Sequence, residues 1–254
     1  MEAQSFTFEG VAIQYLERFK NASTIIFLHD SLGCIELWRD FPQKIADATA
    51  CNFLVYDRLG YGKSDTMLTH VRNNDYMELE ADFLVKIIQE LDLKNIILFG
   101  HSDGGSIALI TAGKYPEYIN AVIVEAAHIF VEDITLEGIH YAIASYESLN
   151  MNERLAKYHG PNTENVFKSW TETWIKPEFK SWNIEHFLPK ITCPLLFIQG
   201  EADEYGSLEQ VNKTINQVNG SAEKFIIPEI GHTPHRENPK IVHDKSVEFI
   251  KHLK

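Results

Sequence analysis

A strand, a glycine-bounded turn and a helix in immediate succession constrain the fold of this chain more than any other stretch. Asn95-Ile96-Ile97-Leu98-Phe99 is a short apolar run that predicts a strand buried on both faces, and a small-residue helix is predicted from Ser106. Between them lies Gly100-His101-Ser102-Asp103-Gly104, which has the pattern G-x-S-x-G. A sharp turn there holds the serine hydroxyl above the strand end, and glycines are needed where side chains would clash. Ser102 is therefore the candidate nucleophile.

Apolar strand runs and helical patterns alternate on both sides of this turn. A hairpin is predicted over residues 6–16, further strands at 24–28, 52–56, 121–124, 194–199 and 224–228, and helices at 36–49, 75–92, 208–218 and near the end of the chain. Strands that alternate with helices indicate a mostly parallel sheet covered by helices on both faces. The chain is long enough to form one such domain.

The alternation stops between residues 129 and 190, where no buried-strand run occurs. Helical patterns at 136–149 and 165–174 and three of the four tryptophans, Trp170, Trp174 and Trp182, lie in this segment. The pattern predicts a helical cap over residues 129–190, inserted into a core domain of residues 1–128 and 191–254. Most of the cap aromatics are expected to pack the helices together, and the rest to line an apolar pocket.

A serine hydroxyl needs a base to take its proton and a carboxylate to orient that base. Both residue types follow Ser102 in loops after predicted strands: Asp203 in Gly200-Glu201-Ala202-Asp203, and His232 after Gly231. Glu201, Glu204 and His235 are neighbouring alternatives. Position after the strands favours Asp203 as the orienting acid and His232 as the base.

Four loop motifs, in this order, are similar to those of the α/β-hydrolases. The four motifs are residues 29–33, 100–104, 200–203 and the G-H-x4-E-x-P pattern at 231–239. In addition, the loop at residues 57–65 is similar to a turn of that family. The resemblance covers nearly the whole chain. It implies an α/β-hydrolase fold with a helical cap and a catalytic triad of Ser102, Asp203 and His232.

The resemblance also implies an oxyanion hole formed by the backbone amides of Ser31 and Asp103. His29-Asp30-Ser31-Leu32-Gly33 departs from the family pattern H-G-x-x-G because Asp30 replaces the first glycine. The Asp103 carboxylate is expected to be structural, for example by accepting hydrogen bonds from nearby backbone amides. Trp38, His128 and Phe130 are candidate substrate contacts.

These features together predict a serine hydrolase that cleaves an ester-type bond of a small apolar carbonyl substrate through an acyl-enzyme on Ser102. Two alternatives stay open. One is a hydrolase that cleaves the C–C bond of aromatic ring-fission products, and the other is a receptor-like protein that binds a ligand in the same pocket and turns it over slowly. No metal or organic cofactor is implied.

Charge and cysteine usage restrict the partners and the compartment. The formal net charge is −13 and no cluster of Lys or Arg is visible in the sequence, which argues against binding to nucleic acid or an anionic membrane. Cys34, Cys51 and Cys193 have no C-x-x-C spacing, so neither a disulfide framework nor a zinc site is indicated. With no signal-peptide pattern at the start, a cytoplasmic monomer or homodimer acting on a small molecule is expected.

Overall fold

Eight strands form one mixed sheet in the computed structural model, which describes residues 3–253. The strands are β1 (Gln4–Phe8), β2 (Val11–Leu16), β3 (Thr24–Leu28), β4 (Asn52–Tyr56), β5 (Ile96–His101), β6 (Ile119–Glu125), β7 (Leu195–Gly200) and β8 (Ala222–Ile227). Their order across the sheet is β1-β2-β4-β3-β5-β6-β7-β8. β1 and β2 form the predicted hairpin, and β2 pairs antiparallel with β4.

The strands from β3 to β8 run parallel, so their carboxyl ends meet at one edge of the sheet. β5 lies in the middle and is buried on both faces, because Leu98 belongs to one apolar core and Phe99 to the other. The buried strand predicted at residues 95–99 is therefore confirmed. The loops that follow β3, β5, β7 and β8 all open on this edge, where the predicted site residues are.

Helices cover both faces of the sheet. They are α1 (Phe41–Thr49), α2 (Tyr76–Glu90), α3 (Asp103–Lys114), α4 (Asp133–Ser145), α5 (Met151–His159), α6 (Thr163–Ile175), α7 (Leu208–Gln217), α8 (Pro234–Glu237) and α9 (Pro239–His252). α1 packs against α9 on one face and α2 against α3 on the other. The strand and helix alternation predicted from the sequence is thus present as alternating layers.

The helix predicted over residues 36–49 is divided in two. A 3-10 turn occupies Ile35–Trp38 and α1 starts only at Phe41. Arg39 separates them with a φ of 52° and a ψ of −128°, a conformation that no helix contains. The break separates Trp38 from the helix that the sequence pattern had assigned to it.

The segment between β6 and β7 contains α4, α5, α6 and several 3-10 turns. The predicted helix at 136–149 ends early, at Ser145, and α5 was not predicted as a separate helix. Trp170, Trp174 and Trp182 pack into the same apolar core as α2 and α3, so this segment shares a core with the sheet.

Candidate active site

Ser102 lies at a tight turn between β5 and α3. Its φ of 53° and ψ of −119° are strained for a residue with a side chain, and its amide donates a hydrogen bond to the carbonyl of Glu125 at 2.8 Å. A Cβ on Gly100 would lie 2.2 Å from the carbonyl oxygen of Gly104, and a Cβ on Gly104 would lie 2.0 Å from that of Leu28. The turn therefore requires glycine at both positions.

A Gly104→Ala substitution is expected to destabilise the protein severely, because the added methyl group meets backbone rather than a movable side chain. We expect a loss of about 3 kcal/mol or more of unfolding free energy, measured by urea denaturation. Gly160→Ala is the comparison, since no atom lies within 4 Å of that position and only its φ of 52° opposes a side chain. Equal stability of the two variants would contradict this packing account.

The three predicted triad residues converge above the carboxyl edge of the sheet. His232 Nε2 lies 3.0 Å from Ser102 Oγ, and His232 Nδ1 lies 2.9 Å from each carboxylate oxygen of Asp203. With Nδ1–H donated to the carboxylate, Nε2 is left to accept the proton of the serine hydroxyl. This is the contact that a general base needs before any substrate binds.

Asp203 is itself held in place by other groups. One carboxylate oxygen accepts hydrogen bonds from the backbone amides of Tyr205 and Gly206, at 2.8 and 3.2 Å, and the other accepts from the Gln199 side chain at 2.7 Å. The neighbouring Glu204 instead accepts from the backbone amide of His232 at 3.2 Å. The structure thus places Asp203, and not Glu204, against the imidazole.

Burial and the ion pair act in opposite directions on the two titrating partners. Burial alone would lower the pKa of His232, but the Asp203 carboxylate and its hydrogen bond raise the pKa above its ordinary value. Burial would likewise raise the pKa of Asp203, yet His232 and the Tyr205 amide hold it below its ordinary value. The pair is therefore arranged to favour a carboxylate beside an imidazolium.

Ser31 and Asp103 both line the cavity that contains Ser102. Within residues 3–253, neither backbone amide has a protein acceptor, and Asp103 is the first residue of α3. The first amides of a helix point outward and carry part of the helix dipole. Both amides are thus free to bind an oxyanion.

The Asp103 carboxylate has different partners from those predicted. It accepts a hydrogen bond from the Tyr76 hydroxyl at 3.0 Å and faces the Arg58 guanidinium at 3.6 Å, and both Arg58 and Asp103 are buried. The expectation of backbone amide donors is corrected to a hydroxyl and a cation. Arg58 offsets the negative charge that would otherwise oppose an oxyanion beside Ser102.

The cavity around Ser102 has a volume of about 370 Å³. His128, Trp170 and Trp174 line it, and burial lowers the pKa of His128 to about 4, so this imidazole is neutral at pH 7. We refer to this cavity as the catalytic pocket. Of the three predicted substrate contacts, only His128 lies on its wall.

Trp38 and Phe130 lie away from the catalytic pocket. Trp38 is buried on the opposite face of the sheet, where its ring packs against Phe27, Phe99 and His235. Phe130 lies under the ammonium group of Lys213, 4.4 Å from the ring centre. Their prediction as substrate contacts is corrected: each ring is used in packing against the protein.

A buried polar network that the sequence analysis did not identify lies under the His232 loop. Glu125 accepts hydrogen bonds from the amide and the Nδ1–H of His235, each at 2.6 Å, and the Nε2–H of His101 donates to the carbonyl of His232 at 2.8 Å. All of these side chains except that of His232 are buried. The network fixes the loop at the backbone of His232 and at His235.

The same three side chains, those of His101, Glu125 and His235, have ligand atoms within 4.8 Å of one another. This spacing is compatible with a metal ion in principle. However, both Glu125 oxygens already accept hydrogen bonds from His235, and one His101 nitrogen already donates to a carbonyl. Hydrogen bonding thus accounts for the positions of all three.

The three cysteines are reduced, and Cys34 is buried. Burial and the nearby Asp57 carboxylate raise the pKa of Cys34 to about 12. A thiol at this pKa is protonated at neutral pH and is a poor nucleophile.

Comparisons with known proteins agree with this fold. A family model for the α/β hydrolase fold matches residues 23–145. The human protein named serine hydrolase BPHL is 31% identical over 205 residues, which are 76% of this chain and 68% of that protein. The 2-hydroxy-6-oxononadienedioate/2-hydroxy-6-oxononatrienedioate hydrolase of Cupriavidus pinatubonensis is 22% identical over 258 residues, which are 90% and 87% of the two chains.

The solved structure of MGS-M2, an α/β hydrolase enzyme from a Medee basin deep-sea metagenome library, has the same fold. Its TM-score is 0.76 over 97% of this chain and 96% of that chain, at 19% identity. The chain belongs to the α/β-hydrolase family, and the predicted fold class is confirmed. Within residues 3–253, no helix combines the length and the apolar character needed to cross a bilayer.

Proposed function

We propose that this protein is a serine hydrolase that cleaves an ester-type bond of a small carbonyl substrate through an acyl-enzyme on Ser102. The observation that carries the proposal is the contact of 3.0 Å between His232 Nε2 and Ser102 Oγ, with Asp203 on the other side of the imidazole. This is the arrangement that activates a serine hydroxyl for attack on a carbonyl carbon. The relative named a serine hydrolase supports the same reaction class.

The reaction follows from the positions of these groups. His232 takes the hydroxyl proton while Ser102 Oγ attacks the carbonyl carbon, and the free amides of Ser31 and Asp103 bind the oxyanion that forms. When the tetrahedral intermediate collapses, the imidazolium returns its proton to the departing alcohol. A water molecule, deprotonated by the same imidazole, then hydrolyses the acyl-enzyme and restores Ser102.

The rate is expected to fall with decreasing pH as His232 becomes protonated. Because the pKa of this imidazole is raised in the folded protein, the acid limb of kcat/KM has its midpoint above the ordinary histidine value of about 6.5. An Asp203→Asn variant should have a lower midpoint and a kcat reduced by about 10⁴-fold. The pH profile of an activated acyl ester checks both effects. A midpoint below 6 in the wild type would contradict the assigned ion pair.

A C–C bond hydrolase is the second candidate, and the similarity to the dienedioate hydrolase of Cupriavidus pinatubonensis favours it. One panel separates the two: chromogenic acyl esters of graded chain length, a thioester and a ring-fission dienoate. Fast turnover of the esters with no cleavage of the dienoate supports the first proposal. Cleavage of the dienoate without turnover of simple esters would replace it by the second.

A further inference from the structure

A second cavity of about 480 Å³ opens beside the catalytic pocket. The two cavities have five lining residues in common: Asp30, Leu32, Met151, Arg154 and Tyr205. A substrate bound at Ser102 can therefore extend into the second cavity without leaving the protein surface. We refer to this second cavity as the outer groove.

Four cationic side chains from three separate elements line the outer groove. They are Arg39 after the 3-10 turn, Arg154 and Lys157 of α5, and Arg236 of α8. All four are exposed, and none forms an ion pair within 4 Å among the described residues. A chain with a net charge of −13 thus presents unpaired positive charge beside its candidate active site.

Asp30 is the one carboxylate on the groove wall among residues 3–253. Burial alone would raise its pKa, but His101 and Arg236 lower it to about 2, so Asp30 stays ionised at neutral pH. Its charge offsets one of the four cations and leaves an excess of three positive charges. Elsewhere on the groove wall, Leu37, Leu149 and Leu155 provide apolar contacts between the cations.

We infer that the substrate carries an anionic group, a carboxylate or a phosphate, several bonds away from the carbonyl that Ser102 attacks. This inference rests on the proposed hydrolase function and adds the charge of the substrate to it. The apolar wall accommodates the chain of the substrate, and the cations bind its charged end. Clustered cations in a concave site attract anions even when the whole protein is acidic.

The test uses two esters that differ only in charge. 4-Nitrophenyl hydrogen adipate has a free carboxylate at the far end of the acyl chain, and its methyl ester is neutral at that end. We expect wild-type kcat/KM to be higher for the charged ester, on the order of tenfold at low ionic strength, with the ratio falling as salt is added. Inhibition by adipate and by hexyl phosphate, measured separately, distinguishes carboxylate from phosphate as the preferred group.

An Arg39→Gln/Lys157→Gln double variant removes two groove charges that lie on different elements and outside the catalytic pocket. The ratio of the two kcat/KM values is expected to fall by about threefold to tenfold, as for the loss of two solvent-exposed charge interactions. Lys20→Gln is the matched control, since Lys20 is exposed and lies before β3, at the opposite edge of the sheet. It should leave the ratio unchanged.

A wild-type ratio near one that does not respond to salt would overturn the inference, and so would a ratio that the double variant retains. Neither result affects the proposed function, because the neutral ester is still hydrolysed. Failure of the proposed function has a separate signature: Ser102→Ala would then hydrolyse the neutral ester as fast as the wild type.

Discussion

Replacement of Ser102 by alanine is expected to lower kcat for an activated ester by at least about 10⁴-fold. The hydroxyl that His232 contacts at 3.0 Å is then absent, and no acyl-enzyme forms. The loss of kcat is measured by monitoring the release of 4-nitrophenolate during ester hydrolysis. His232→Ala should lower kcat by a similar factor. The double variant should lower kcat little further, because the two side chains act as one unit.

The structure offers a matched serine control. Ser148 lies exposed between α4 and α5, and within residues 3–253 its hydroxyl donates only to the carbonyl of Ser145. Ser148→Ala should retain the wild-type kcat. The two serine variants should have the same melting temperature. Turnover by Ser102→Ala at the wild-type rate would show that Ser102 takes no part in the reaction, even though the fold is that of a hydrolase.

Removal of the Glu125 carboxylate is expected to have the largest effect on stability outside the tight turn at Ser102. Glu125→Ala leaves the amide and the imidazole of His235 buried without the partner that now accepts from both at 2.6 Å. Loss of one member of such a buried pair costs about 3 to 5 kcal/mol, which lowers the melting temperature by on the order of 10 °C. Differential scanning calorimetry measures the change.

Activity should fall as well, because His235 and His101 hold the loop that carries His232. Glu90→Ala is the control, since Glu90 is exposed at the end of α2. A variant at Glu125 with the stability and kcat of the control would show that the buried network does not anchor the loop.

The stability effect also depends on pH with a defined sign. Burial alone would raise the pKa of Glu125, but His235 and its hydrogen bonds hold it below the ordinary value. A depressed carboxyl pKa stabilises the folded state above the unfolded pKa of about 4.3, and the stabilisation is lost as the pH falls through the folded value. The difference between wild type and Glu125→Ala should therefore shrink below pH 4.

Local signals were sufficient to predict the sheet and the convergence of the three candidate triad residues. The apolar runs at 24–28 and 52–56 match β3 and β4 residue for residue, because buried parallel strands need continuous apolar sequence. Ser102, Asp203 and His232 each follow a strand, and the carboxyl ends of parallel strands meet at one edge. Their convergence therefore followed from the order of the elements.

Long-range packing explains what the sequence did not reveal. Trp38 follows the loop that carries Ser31, yet its ring packs with α1 and α9 in the core on one face of the sheet, away from the catalytic pocket. Glu125 and His235 are 110 residues apart, and no local pattern relates them. Their contact arises because the chain after β8 returns across β7 to the end of β6.

The sequence did not reveal the charge of the outer groove either, because this charge also depends on long-range packing. Its cations are scattered between Arg39 and Arg236, and the sequence contains no run of Lys or Arg. Folding brings α5, α8 and the residue after the 3-10 turn together at one cavity. Charge counted along a chain therefore understates the charge of a folded surface.

Covalent labelling tests the central claim most directly. After incubation with an alkyl fluorophosphonate, the wild-type protein is expected to carry one phosphonyl group, located by peptide mass spectrometry on Ser102, and to lose its esterase activity in proportion. The Ser102→Ala variant should remain unlabelled. Esterase turnover that continues in a protein labelled at Ser102, or a label located at another residue, would contradict the account.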